Sequence, residues 1–294
     1  MSEKVLPEFT PLHLFDYICV MYPEIKQIDS PERMIAAIRT IGIIPFFKNK
    51  IPGWSIEEHT APGYWFGKEE DGGGLGPWDW KIDTIREGDI AYGKFLNGKA
   101  AFATVEWYRH LMNWRRSLPQ YRIALGEKPN PAIKESQLNI LLSPTLLEII
   151  KENGSLETAE IRKIVKEKTN PETLQSIKGC INKYLIPEIK KQAVDTILQF
   201  LDMGTWTLIG DFRRVYRGAN LTYSGWQRSS VTTPDALFGS EMSESNQPFW
   251  AKFIDDTPIS NISVNESPEE SRTILTNHIN EFFPENKKTI MKLI

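Results

Sequence analysis

The chain has 294 residues, 40% hydrophobic and 25% charged, a balance that excludes wholesale disorder and is long enough for two packed domains. Its net charge of −3 excludes a uniformly basic nucleic-acid coat, so any such role depends on how charge is distributed. The two cysteines, Cys19 and Cys180, suggest neither a disulfide framework nor a Cys-pair metal site, and the absence of a long apolar run or leader-like N-terminus points to the cytoplasm and away from a membrane.

In chain order, residues 8–22 read as a short helix with Leu12, Phe15, Ile18 and Cys19 at helical spacing. Ser30-Pro31 is a helix start, with Met34, Ile38 and Ile41 on one face and Gly42 as the stop. Residues 43–80 are punctuated by Gly and Pro and interleaved with aromatics, which makes them an irregular packed segment or a binding surface rather than a linker. Within them Trp78 and Trp80, read as extended, point the same way. The strands over 89–96 and 99–103 form a hairpin about Asn97-Gly98, a pair suited to the type I′ turn. Thr104 then caps a helix over 105–116, and 117–135 is a connector.

The second half is more regular. Ser143-Pro144 opens a helix closed by Gly154, a second helix covers 157–168, and an inserted helix covers 169–185. Pro187 opens a third helix that Gly204 ends. A strand over 205–210, a basic loop over 213–218 and a returning strand over 225–231 follow. Three helices and then a two-stranded ribbon is the order of a winged helix, here over 143–233, with the third helix in the recognition position and the basic loop as the wing. Residues 268–281 form a last amphipathic helix.

Charge is unevenly spread. Residues 80–128 hold nine Lys/Arg against five Asp/Glu, residues 205–234 four Arg against one Asp, and residues 241–272 seven acids against two bases. Arg213, Arg214, Arg217 and Arg228 are candidate phosphate contacts, or a solvated basic loop. Lys190, Lys191 and Gln192 on the third helix could enter a groove, although Glu188 and Asp195 share that face. Arg115, Arg116 and Lys81 extend the candidate nucleic-acid surface. Phe47, Trp54, Trp78 and Trp80 are the candidate aromatic pocket, able to stack on bases or to plug the core. Glu58 and His59 are the candidate acid/base pair, or a surface cap. The four scattered histidines make no metal-ligand spacing, and no phosphate-cradling or nucleophile motif is present, so neither metal nor cofactor is expected.

Several stretches resemble a known family. Ile41-Gly42-Ile43-Ile44-Pro45-Phe46-Phe47, Gly76-Pro77-Trp78-Asp79-Trp80-Lys81, Ala91-Tyr92-Gly93-Lys94-Phe95, Asn113-Trp114-Arg115-Arg116, Tyr223-Ser224-Gly225-Trp226 and Thr232-Thr233-Pro234 are similar to uncharacterised relatives of AlkZ, a bacterial DNA glycosylase of tandem winged helices. The resemblance implies a helix-rich α+β fold of winged-helix units with β-hairpin wings and duplex DNA as partner. It also implies base excision in DNA repair without metal or cofactor. The family's catalytic Gln-x-Gln or Gln-x-Asp falls here on Pro45 and Phe47, which can neither orient a water nor stabilise a cationic sugar. The expectation is therefore a DNA-binding protein that lacks that motif. The alternatives are a glycosylase using another carboxylate such as Glu58, and a non-catalytic scaffold for a protein partner. The expected domains are 1–135, 136–240 and a C-terminal segment, 241–294, packed back on the body.

Overall fold

The computed structural model describes residues 25, 27–65, 76–127, 137–172, 193–213, 216–217, 223–224, 227–238 and 264–294. The expected helix over 8–22 lies outside them, as do Lys190, Lys191, Gln192, Arg214 and most of 169–185. The chain is α+β and helix-rich, with small antiparallel sheets. Among the described residues no helix is long and apolar enough to cross a membrane.

The first unit opens with α1 (Pro31–Ile41), where the Ser30 hydroxyl accepts from the Arg33 amide at 3.3 Å and Pro31 starts the first turn. Gly42 ends the helix at φ 78°, a conformation costly for any residue with a Cβ. A side chain there would also run into the Trp107 indole. Strand β1 (Ile43–Pro45), the short helix α2 (Ile56–His59), α3 (Pro77–Ile85), β2 (Ile90–Leu96) and β3 (Lys99–Thr104) follow. Asn97 and Gly98 both take positive φ, 49° and 75°, as the hairpin reading requires. Strand β3 is central, pairing Ile44 with Phe102 on one side and Tyr92 with Phe102 on the other.

Helices α4 (Val105–Ser117) and α5 (Pro119–Arg122) connect to the second unit. Thr104 precedes α4 in extended geometry, but its hydroxyl makes no capping bond, so the capping expectation is half right. The second unit runs α6 (Gln137–Asn153), β4 (Leu156–Glu157), α7 (Thr158–Lys168), α8 (Ala193–Met203), β5 (Leu208–Arg213), β6 (Tyr216–Arg217), β7 (Tyr223–Ser224) and β8 (Arg228–Thr232). Helix α6 begins six residues before the expected Ser143 start and carries Pro144 inside it. The missing amide there costs one helical bond, to the carbonyl of Ile140.

The two main sheets share one plan. In each, the first strand pairs with the third and the third with the second, all antiparallel: β1-β3-β2 and β4-β8-β5. The strands β6 and β7 make a separate ribbon between β5 and β8.

Two apolar clusters hold the fold. One joins α1, β1–β3 and α4 to Leu208 and Phe212 of β5, to Leu237 and Phe238 of α9 (Pro234–Phe238), and to Leu275 and Ile279 of α10 (Pro268–Phe282). The other fills the space between α6, α7 and α8. After α10, the chain ends in α11 (Lys287–Leu293). Helix α10 lies on α4, with His278 stacked on Trp107 at 3.6 Å and donating from Nε2 to the Ile41 carbonyl at 2.6 Å.

The units meet along a polar seam. Arg86 of the α3 C-cap makes a two-toothed pair with Asp211 of β5, at 3.1 and 3.0 Å. Arg115 and Arg116, expected on a phosphate-facing surface, belong to this framework instead. Arg115 is 5% exposed and donates to Tyr121 Oη and the carbonyls of Met203 and Leu293. Arg116 donates to the Thr205 carbonyl and lies 4.5 Å from the Trp206 ring. Backbone carbonyls at the α8 C-terminus are unpaired within the helix, so guanidinium forks from α4 satisfy them and lock α8 in place.

Candidate functional site

An aromatic tier lies where the first unit meets β5 and β8. Phe46 and Phe47 follow directly on β1. The Phe47 ring is 44% exposed, among the few large apolar side chains that are, and it is 5.8 Å from Trp65 and 6.1 Å from Trp78. Phe46 beneath it is fully buried and touches Phe47, Trp65, Trp78, Tyr92 and Phe102. Trp78 is half-buried and packs against the core.

Trp78 and Trp80 do not share a face. Gly76-Pro77 places Pro at the first turn of α3 and Asp79 in the same turn, a helix start that outweighs the extended reading. Two residues apart on a helix point in nearly opposite directions, so Trp78 reaches the tier while Trp80 is 4% exposed in the core. Trp54 is also core, wholly buried with its Nε1 donating to the Ile43 carbonyl at 2.8 Å. Of the four expected pocket residues the structure brings together Phe47 and Trp78, and the buried pair supports them from behind.

Lys81 is not a surface phosphate contact. It is 3% exposed, and its Nζ lies 3.6 Å from the Trp78 ring centre, 4.5 Å from Phe212 and 5.8 Å from Phe46. Burial disfavours the ammonium and brings its pKa down to about 8, with Asp79 opposing the shift. A polar pair completes the rim: Gln227, just before β8, donates from Nε2 to Asp79 Oδ1 at 2.9 Å and to the Trp78 carbonyl at 3.2 Å. Gln227 Oε1 has no partner among the described residues. The arrangement therefore combines stacking faces, a desolvated amine, a carboxylate and a free amide acceptor, drawn from both units.

Glu58 and His59 are placed elsewhere in function. Ser55 and Glu58 form a reciprocal cap on α2: Ser55 Oγ accepts from the Glu58 amide and donates to Glu58 Oε2 at 2.6 Å. Burial raises the Glu58 pKa, opposed by the Ser55 bond. His59 is fully buried, its Nε2 paired with the Gly53 carbonyl at 2.7 Å, and burial lowers its pKa. The carbonyl partner places the proton of the neutral ring on Nε2. Both side chains are used by the local fold, which corrects the expectation that they act as an acid/base pair.

On the second unit, Arg213 and Arg228 face each other across β5 and β8, 63% and 55% exposed at the side chain. Glu157 of β4 sits between them, 2.5 Å from Arg213 and 3.5 Å from Arg228. Arg217 falls in β6. Among the described residues no group of three or more His, Cys, Asp or Glu is placed to hold a metal.

Sequence reasoning did not single out Gln227 or Phe212, and no local signal marks them. Gln227 joins the site only because the fold brings it to Asp79 across 148 positions.

A family model described as AlkZ related matches residues 28–252, well over half of the chain. No curated protein and no solved structure gives a match.

Proposed function

From the premise that this chain belongs to the AlkZ-related family, we propose that it is a DNA-binding protein of tandem winged-helix type. The observation that carries this reading is the repeated plan of the two units. Each runs helix, strand, helix and, further on, a helix followed by a hairpin-like pair, and each sheet has the order first-third-second. Three helices with a β wing is the arrangement that sets a helix in the major groove and a wing on the backbone. In this reading Arg213 and Arg228, with Arg214 and Arg217 of the intervening segment, meet phosphates, while Phe47 and Trp78 offer faces to bases. Lys190, Lys191 and Gln192 remain groove-contact candidates of the third helix.

The test is a fluorescence-anisotropy titration with duplex DNA at several salt concentrations. Binding that weakens steeply with salt is expected, since phosphate contacts release counterions. No binding, or binding indifferent to salt, sinks the reading.

A second reading, base excision, is favoured by one observation. Pro45 and Phe47 occupy the place of the expected catalytic amide motif, but the Asp79–Gln227 pair sets a carboxylate and an amide side by side under Trp78. A carboxylate can stabilise a cationic sugar and an amide can orient water. Incubation with methylated duplex, followed by a gel assay for abasic sites, tests it. Product from the wild type and none from Asp79→Asn is expected; equal product from both removes this pair from the chemistry.

A further inference from the structure

Lysines are seldom fully buried, and those that are usually pair with a carboxylate. Around the Lys81 ammonium, among the described residues, there are ring faces instead: Trp78, Phe212 and Phe46. The rings come from β5, α3 and the residue following β1, so the cage exists only when the two units are docked. A leucine or methionine would fill the same volume without desolvating a cation. Phe47, exposed, stands on the same tier, and Gln227 Oε1 offers an unused acceptor at its rim.

We propose that Lys81 is a covalent site: its amine condenses with an aldehyde, that of a ring-opened abasic deoxyribose in DNA held at the Phe47–Trp78 rim. The proposal rests on the DNA-binding reading.

The chemistry balances without oxidant or reductant. The nitrogen lone pair attacks C1′ of the aldehyde, the carbonyl oxygen takes a proton, and the carbinolamine loses that oxygen as water. One C–N double bond has then replaced the C–O double bond. Only the neutral amine can begin this, and a lysine whose charge is disfavoured by an apolar site is the residue type suited to it. With its pKa brought to about 8, the neutral fraction at pH 7 is on the order of a hundred times that of an ordinary lysine.

The experiment incubates the wild-type protein with a duplex carrying one abasic site in the presence of sodium borohydride, which reduces an imine to a stable amine. A covalent complex on a denaturing gel is expected. It should be absent with intact duplex, map to Lys81 by peptide mass, and fall at least tenfold in Lys81→Arg but not in Lys99→Arg. Mapping on the wild type keeps the result decisive if the Lys81 variant misfolds. Anisotropy with the same abasic duplex, without borohydride, runs in parallel. Binding without an adduct, or an adduct mapped to another amine, overturns the proposal while leaving the DNA reading intact. No binding overturns the DNA reading and with it this substrate. Reductive methylation with formaldehyde and cyanoborohydride at pH 7 then judges the amine alone. Labelling of Lys81 at least as fast as exposed Lys99 supports a reactive aldehyde site, and tenfold slower labelling overturns it.

Discussion

The carboxylate of Asp202, near the end of α8, accepts a 2.7 Å hydrogen bond from the backbone amide of Lys94 in β2, across the junction of the two units. The close approach depends on Gly93, where a Cβ would lie 2.7 Å from Asp202 Oδ1. Oδ1 itself has no partner among the described residues. Tyr92 and Tyr108, both buried, feel the carboxylate as a like charge, and burial is the main reason that their phenols and the acid all resist ionising.

Asp202 therefore makes stability depend on pH. Its pKa is pushed up to about 7 by burial, opposed by the Lys94 bond, above the ordinary aspartate value that applies in the unfolded chain. For an acid raised on folding, the contribution is fully present below the unfolded pKa and is lost as pH rises through the folded pKa. Thermal denaturation should show Asp202→Asn flattening the decline of Tm between pH 5 and pH 8, with a gain at pH 8 of up to a few kcal/mol. Parallel pH profiles for the two proteins would count against it.

Phe47→Ala should separate binding from folding. Its ring is 44% exposed, so the loss of stability should stay below about 1 kcal/mol. If the ring stacks on a base, affinity for DNA should fall roughly fivefold or more. Chemical denaturation and anisotropy measure the two quantities, and unchanged affinity removes Phe47 from the interface.

Arg213 and Arg228 share Glu157, so part of their charge is spent inside the protein. Arg213→Ala should weaken DNA binding and reduce the slope of log affinity against log salt by about 0.9 if one phosphate contact is lost. Glu157→Gln should act in the opposite direction and tighten binding. A variant pair that moves affinity the same way refutes this assignment.

Arg115→Ala should destabilise the fold by roughly 2–4 kcal/mol, since it strips partners from Tyr121 Oη and from the carbonyls of Met203 and Leu293. Lysine should rescue little, because it cannot reproduce the planar fork. Urea denaturation reads the loss, and the salt slope of the folded fraction should not change. A stable Arg115→Ala protein with a reduced slope would return Arg115 to the phosphate surface.

Where information was local, the sequence alone determined the structure. Ser30-Pro31 and Gly42 mark the two ends of α1, Asn97-Gly98 dictates its turn, and Gly204 stops α8, because capping, φ restriction and turn type act within a few bonds. The membership of an AlkZ-related family was legible too, from short stretches spread over the chain. The tertiary structure decided everything that depends on which face is covered. Trp78-Asp79-Trp80-Lys81 could be read as a strand with paired indoles, but Gly76-Pro77 starts a helix and docking to β5 buries Lys81 among rings. Arg115, basic and apparently available in sequence, became a clamp because α8 ends beside it. Gln227 acquired a role only through packing against Asp79. The aromatic tier opened on Phe47 thus has its faces in the sequence, while the amine, carboxylate and amide around it are assembled by the contact between two units.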